Sequence, residues 1–317
     1  MVTNSPQSPV HIVVTCTNRK RIAVPEQLTL GSISAVTPRD RFSTWTRRLS
    51  EEPPTIPAED LYCGDHWNIA RSLPNLIGEQ ASLWVCSAGY GLVPVDTCLN
   101  PYMATFSAGS RDSVGRDRAT TADWWRRLSD WAGPHPDQPR SFAGLARRDP
   151  DATIVAVLSN PYLYACADDL RSAAASLNSI DKFIVIGANR ATPELEDVVI
   201  PIPATLRSVV GGSLHALQVR AATHLLPLAM AEPAGIGRKV LRELAQQVVA
   251  AAPPDPSRRA PGVRMGDDEV RQFIILHRVA PAVSATRLLR KLRDSGFSCE
   301  QGRFKKLYHE TMAEVAA

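Results

Sequence analysis

The sequence lacks a long hydrophobic run: no apolar stretch in its 317 residues approaches the roughly 18 that a bilayer-spanning helix needs. Residues 1–9 are polar and contain no hydrophobic segment of the kind found in secretory signal peptides. Hydrophobic residues make up 44% of the chain and charged residues 21%, which excludes a collagen, a coiled-coil rod and wholesale disorder. We therefore expect a globular, cytoplasmic protein with no membrane partner.

Patterns for metal, disulfide and cofactor binding are also absent. The six cysteines include no CxxC pair, and the seven histidines form no HxxxH or HxxE pattern, so a zinc site is not expected. A disulfide framework is unusual in a chain of this length without a signal peptide, so we expect most cysteines to be small buried hydrophobes. The Walker A, GxGxxG and GxSxG motifs are missing, and the sequence predicts no cofactor.

Short runs rich in valine and isoleucine predict the strands of a buried parallel sheet. Four of them are almost continuously apolar instead of alternating, at residues 11–16, 82–86, 153–158 and 183–186. Helical patterns occur between them, near residues 67–76, 122–131 and 166–177. This alternation predicts a layered α/β domain with a mostly parallel sheet and right-handed crossovers.

Four prolines among residues 253–262 cannot continue a helix and predict a linker at residues 253–263. The linker separates an α/β domain at residues 1–252 from a small module at residues 264–317. Residues 257–317 contain 12 lysines and arginines against 7 aspartates and glutamates, whereas the other residues contain 24 against 25. The net positive charge therefore lies in the last fifth of the chain, and nucleic acid is the first partner to consider.

The C-terminal module is predicted to be all-helical, with three helices near residues 267–278, 284–295 and 300–315. Three helices with short turns in about 50 residues resemble a helix-turn-helix module. Four polar side chains on the third helix are the predicted DNA contacts: Gln301, Arg303, Lys305 and Lys306. The alternative is a helical bundle that docks on the first domain or mediates oligomerisation.

Two predicted strands end in unusual polar segments, and ligands of parallel α/β sheets bind outside the carboxyl ends of strands. Residues 15–20 (TCTNRK) offer hydroxyls, an amide and cations for a phosphate or a base edge. Residues 86–94 (CSAGYGLVP) contain two glycines, which allow a ligand to approach the backbone closely. The alternative for the first segment is an ordinary polar turn.

These segments carry a resemblance to a known family. The CTxxK pattern at residues 16–20, LYCGDHW at 61–67, VCSAGYGLV at 85–93 and the Pro101-Tyr102 pair resemble a group of bacterial anti-phage DNA glycosylases. That group is similar to the uracil-DNA-glycosylase-like domain of archaeosine synthases. The resemblance covers about residues 10–130, with an echo at residues 211–220. Gln218 stands where the group has asparagine, and Met103 where it has aspartate.

The resemblance implies a uracil-DNA-glycosylase-like fold and a hydrolase that cleaves N-glycosidic bonds. Its partner would be double-stranded DNA carrying modified bases, with no obligate protein partner. The expected target is a hypermodified base of phage DNA, such as glucosylated hydroxymethylcytosine, whose removal leaves an abasic site in anti-phage defence. Two alternatives stay open: a base-exchanging transglycosylase, and a DNA-binding regulator or sensor that holds a nucleotide-like ligand without chemistry.

Glycosidic cleavage places positive charge on the sugar and negative charge on the base, so it needs a carboxylate and hydrogen-bond donors. Asp112 is the favoured catalytic carboxylate, with Asp96 and Asp123 as the other candidates. An extruded base also needs edge contacts and stacking partners. The predicted substrate contacts are Asn18, Ser87 and Asn100 for edges or sugar hydroxyls; Tyr90, Tyr102 and Phe106 for stacking; Lys20 and Arg220 for phosphates; and Ser213, with the two preceding glycines, for an anion.

Overall fold

The structure is a computed structural model that describes residues 8–35, 37–188, 195–253, 262–277 and 283–316. The chain divides into two compact units, Met1–Pro254 and Asp255–Ala317. Most of the predicted linker, at residues 254–261, lies outside the described residues. Within the described ranges, no helix combines the length and the apolar character needed to cross a bilayer.

The first unit is built on a six-stranded sheet. Its strands, with one short separate pair, are β1 (Val10–Thr15), β2 (Ile56–Pro57), β3 (Ala81–Ser87), β4 (Gly91–Pro94), β5 (Cys98–Leu99), β6 (Thr153–Val157), β7 (Phe183–Ala188) and β8 (Val199–Ile202). The sheet order is β4-β3-β1-β6-β7-β8, and every neighbouring pair is parallel except β3 and β4. The predicted α/β class with a mostly parallel sheet is therefore confirmed.

Helices connect these strands. They are α1 (Pro38–Leu49), α2 (Ala58–Leu61), α3 (Asp65–Ala70), α4 (Arg118–Asp130), α5 (Phe142–Arg148), α6 (Asn160–Ala165), α7 (Ala167–Ser176), α8 (Arg207–Val210), α9 (Leu217–Ala231) and α10 (Arg238–Ala251). Local chemistry fixes several of their starts. Asp117 and Thr120 form a reciprocal capping box at the start of α4, which satisfies backbone N–H groups that the helix leaves unpaired.

Strand β1 lies near the centre of the sheet, and all six of its residues are buried. It pairs with β3 on one side and with β6 on the other. The chain passes from β1 to the β3 side and later returns to the β6 side, so the strand order reverses beside β1. In parallel sheets such a reversal leaves a crevice at the carboxyl ends of the strands, where ligands bind.

The second unit contains β9 (Val263–Arg264), α11 (Asp267–His277), α12 (Ala285–Asp294), β10 (Phe297–Ser298) and α13 (Gln301–Ala316). Its own core includes Phe273, Leu288, Leu292 and Phe304. The prediction of an all-helical module is wrong in one respect, because β9 and β10 pair in parallel. Gly296, with a φ of +84°, ends α12, and its carbonyl accepts the first bond of that pairing from Val263.

Candidate functional site

A cleft of about 470 Å³ opens at the carboxyl ends of β1 and β6. Cys16 and Thr17 line it directly after β1, and Ser159 lines it just after β6. Seven of its sixteen lining residues carry a hydroxyl group. A hydroxyl both donates and accepts hydrogen bonds, so this lining suits a ligand with many polar groups.

His66 of α3 lines the cleft, and its hydrogen bonds fix its tautomer. Its Nε2 lies 3.2 Å from the carbonyl oxygen of Thr15 and 3.3 Å from the Thr15 hydroxyl. A carbonyl only accepts, so Nε2 carries the proton and Nδ1 of the neutral ring is an acceptor. Burial lowers the pKa of His66 below its usual value of 6.5, although the Thr15 bond and the Asp65 charge oppose that shift. At neutral pH the ring is therefore a base that can take a proton from water.

Asp65 is the carboxylate among the residues that line the cleft, and it is held in an ion pair. Nη2 of Arg220, on α9, lies 2.9 and 3.2 Å from its two oxygens. The Nε atom of Arg220 is buried and has no hydrogen-bond partner in the described part of the chain. This pair brings α3 and α9 together beside the cleft.

The glycines before Ser213 explain how this segment approaches Arg220. Gly212 has a φ of +76°, and a Cβ there would lie 2.2 Å from Nε of Arg220. Only glycine combines that backbone conformation with the available space. Of the predicted substrate contacts, Ser213 and Asn18 line the cleft. Arg220 is not among the lining residues, but it forms an ion pair with Asp65, which is.

Lys20 is directed into the protein instead of lining the cleft. Its Nζ lies 4.9 and 4.7 Å from the ring centroids of Tyr62 and Tyr102, and it donates a hydrogen bond to the Thr17 carbonyl. Burial lowers the pKa of this ammonium, while the Cys16 and Cys63 thiols oppose the shift. These contacts anchor the turn after β1, so the predicted phosphate contact by Lys20 is not made from this position.

The three aromatic residues predicted to stack on a base belong to the hydrophobic core. Tyr90, Tyr102 and Phe106 are exposed to only 1%, 0% and 3%. Tyr90 packs edge-to-face on Tyr102 at 5.2 Å, and Phe106 packs on Tyr162 at 5.0 Å. Protein atoms already cover their rings, so in this structure they have no open face for a base, and the stacking stays a prediction.

Ser87 and Asn100 also have structural partners. The Ser87 hydroxyl accepts hydrogen bonds from the backbone N–H groups of Gly89 and Tyr90 at 3.1 and 3.0 Å and pairs with the Tyr102 hydroxyl at 2.6 Å. The Asn100 amide donates to two backbone carbonyls, those of Leu49 and Glu52. Both side chains fix loops around the core, and neither lines the cleft.

None of the three predicted catalytic carboxylates lines the cleft. Asp112 accepts a hydrogen bond from the backbone N–H of Gly31 at 2.9 Å. Asp123 is ion-paired with Arg126 and Arg127 on its own helix. Asp96 is exposed and follows β4, whose antiparallel course carries it toward the opposite edge of the sheet.

The residues that sequence reasoning missed come from two places. Asp65 and His66 lie within the LYCGDHW segment, where no spacing pattern marks them as chemical groups. Ser159 directly follows the third predicted strand, and Tyr162 lies three residues further on, in α6. The strand-end rule that singled out residues 15–20 also applies there and would have found them.

The predicted DNA contacts of the second unit divide into paired and unpaired side chains. Arg303 is ion-paired with Asp267, and its Nε donates to that carboxylate at 2.7 Å. Nζ of Lys306 lies 3.8 Å from Glu310. Gln301 and Lys305 are exposed. Two of the four predicted contacts therefore already have acidic partners.

Two histidines, the buried His11 and the half-buried His66, make stability depend on pH. Burial lowers the pKa of both His11 and His66 below 6.5, and for His11 the Asp149 bond opposes that shift. The unfolded chain therefore takes up protons near pH 6.5 that the folded chain still excludes. We expect the free energy of unfolding to fall as the pH decreases from about 7.5 to 5.5, by at most about 1.4 kcal/mol per pH unit for each histidine.

Urea unfolding at several pH values measures this dependence. His66→Gln should reduce the slope, while the same change at the exposed His309 should leave it intact. Stability that rises as the pH falls through this window would contradict the prediction.

Within the described ranges, no group of three or more histidine, cysteine, aspartate or glutamate side chains is placed to hold a metal ion. Comparisons with protein-family models, with curated proteins and with solved structures find no match for this chain. The resemblance to bacterial DNA glycosylases accordingly stays a prediction.

Proposed function

We propose that the protein is a DNA glycosylase that hydrolyses the N-glycosidic bond of a modified base in DNA and leaves an abasic site. The observation that supports this function best is the hydroxyl-lined cleft beside β1, which contains one carboxylate and a neutral imidazole. Its volume of about 470 Å³ falls within the range of small-molecule sites and accommodates an extruded nucleotide.

The hydroxyl groups of the cleft lining favour a base that carries many polar groups. Hydroxyl groups from four separate segments converge there, including Thr17, Thr105, Ser159 and Ser213. A glucosylated hydroxymethylcytosine offers many hydroxyl groups for such side chains to bind. We therefore propose this hypermodified base as the target, and removal of it from phage DNA as a defence function.

The reaction can be written through two adjacent residues. A water molecule attacks the anomeric carbon of the sugar, and the bond to the base breaks with its electron pair going to the base. Nδ1 of His66 takes the proton from the water, and the Asp65 carboxylate stabilises the positive charge that develops on the sugar. Donors such as the Asn18 amide stabilise the negative charge of the departing base until it takes a proton from bulk water, and His66 then releases its own proton to bulk water.

Arg220 serves the same step indirectly. Its ion pair holds the Asp65 carboxylate beside the cleft. A phosphate next to the extruded nucleotide is an acceptor that fits a guanidinium group. This role retains the phosphate contact that the sequence predicts for Arg220.

Base release tests the proposed function directly. The protein is incubated with unmodified, hydroxymethylated and glucosylated phage DNA, and mass spectrometry then identifies the released bases while an abasic-site label counts the lesions. We expect a free base and matching abasic sites from the glucosylated DNA alone. Incorporation of a labelled free base would indicate base exchange, and no release from any of the three DNAs would exclude the glycosylase.

A ligand sensor is the second candidate, and one observation favours it. The cleft carboxylate Asp65 is already neutralised by Arg220, and the other candidate carboxylates lie elsewhere. A sensor would bind a modified nucleoside without releasing its base. Equilibrium dialysis with the nucleoside, combined with the base-release assay, separates the two functions.

A further inference from the structure

Helix α12 of the second unit has two sharply different faces. Leu288, Leu289 and Leu292 are buried in the core of that unit, with exposed fractions of 1%, 4% and 0%. On the other side of the helix, Arg287, Arg290 and Lys291 are exposed. The ten residues of α12 contain four basic side chains and one acidic one.

These three cations differ from those of α13 in their partners. Within the described part of the chain, Arg287, Arg290 and Lys291 form no ion pair. On α13, by contrast, Arg303 pairs with Asp267 and Lys306 with Glu310. An exposed cation without a carboxylate partner loses no ion pair when it binds an external anion.

The shape and charge of this face favour a polyanion over a membrane. The leucines of α12 are buried in the core of the second unit, so the helix has no exposed apolar face to insert into lipid. The three cations stand within one helical turn, spread over about 5–6 Å along the axis. A DNA duplex carries one phosphate per about 1.7 Å of its axis, and arginine binds phosphate oxygens through its planar guanidinium group.

We propose that the face formed by Arg287, Arg290 and Lys291 is the surface of the second unit that binds the phosphate backbone of duplex DNA. This inference deepens the proposed function, because it transfers the non-specific DNA contact from α13 to α12. The charges of this face attract the phosphates of any duplex, so the surface should bind unmodified DNA as well.

The salt dependence of DNA binding tests the proposal in the full chain. The variant Arg287→Gln, Arg290→Gln, Lys291→Gln is compared with a matched α13 variant, Arg303→Gln, Lys305→Gln, Lys306→Gln. Fluorescence anisotropy measures the affinity of each for a short unmodified duplex over a series of salt concentrations. We expect the α12 variant to flatten the logarithmic salt slope by up to about three units, and the α13 variant by about one or less.

Two outcomes would overturn the proposal: a wild-type slope in the α12 variant, or a larger loss in the α13 variant. Far-ultraviolet circular dichroism and thermal unfolding verify that both variants fold. An unmodified duplex contains no base to remove, so this measurement is independent of catalysis. If the α12 slope falls but no base is released, the glycosylase function fails alone; if base is released but the slope is unchanged, the α12 surface fails alone.

Discussion

Replacing His66 by glutamine is expected to lower the turnover of base release by a factor of about 10² or more, the range typical of a general acid-base group. Glutamine retains a nitrogen that donates to the Thr15 carbonyl, as Nε2 of His66 does, but it has no basic nitrogen. DNA affinity should barely change, because the imidazole is neutral and contributes little to binding phosphates. Single-turnover kinetics with saturating enzyme measure the effect.

Asp112→Asn is the matched comparison for His66→Gln. The sequence favours Asp112 as the catalytic carboxylate, but this residue does not line the cleft. Its amide oxygen still accepts the Gly31 hydrogen bond, so full turnover is expected. Full turnover in His66→Gln with loss in Asp112→Asn would reverse the two assignments. Full turnover in both, and in Asp65→Asn, would place the catalytic groups outside this cleft, whereas no base release by the unmodified protein would favour the ligand sensor.

The rate should also depend on pH with a defined sign. His66 acts as a base only when it is unprotonated, so turnover falls as the pH decreases through its pKa. Since burial lowers that pKa, the acid limb of the profile should lie below 6.5. The residual activity of His66→Gln should lack this limb.

Replacing Tyr102 by alanine is expected to lower the free energy of unfolding by about 3–5 kcal/mol, the usual cost of deleting a buried aromatic ring. The ring is fully buried and packs on Trp45, Tyr62 and Tyr90. Its hydroxyl pairs with Ser87 at 2.6 Å and with Tyr62 at 2.8 Å. Urea unfolding monitored by fluorescence gives the change.

Tyr102→Phe separates packing from hydrogen bonding. This variant keeps the ring but removes the hydroxyl that pairs with Ser87 and Tyr62. We therefore expect the free energy of unfolding to fall by a smaller amount, about 1–3 kcal/mol. A base-stacking role makes the opposite prediction: Tyr102→Ala would weaken binding of the modified nucleoside while hardly changing stability. That result would return Tyr102 to the substrate site.

The sequence predicts the sheet well because its signal is local. A central strand covered on both faces needs continuous apolar residues, and residues 11–16 show that pattern within a single window. The strand-end rule then brings residues 15–19 to the cleft, where Asn18 lies. These predictions require no knowledge of distant partners.

The position of the second polar segment is harder to predict, because it depends on residues distant along the chain. Gly91, with a φ of +76°, turns the chain back after β3 into the antiparallel β4. The segment therefore folds against Trp45, which is more than 40 residues earlier in the chain, and against Tyr102, which follows it after a loop. A tyrosine in a sequence looks the same whether it stacks on a ligand or packs in the core, so local pattern alone could not decide.

Because β1 is a central strand, the part of the cleft formed by its carboxyl end is more stable than the cleft rim, which includes Ser213 and His215. Opening β1 would require its hydrogen bonds to both β3 and β6 to break, which is close to global unfolding, whereas edge strands can fray alone. The rim residues Ser213 and His215, in contrast, are exposed and precede α9. Under the proposed function, substitutions in the rim would change which modified base is accepted, while β1 keeps Thr15, the hydrogen-bond acceptor of His66, in its place.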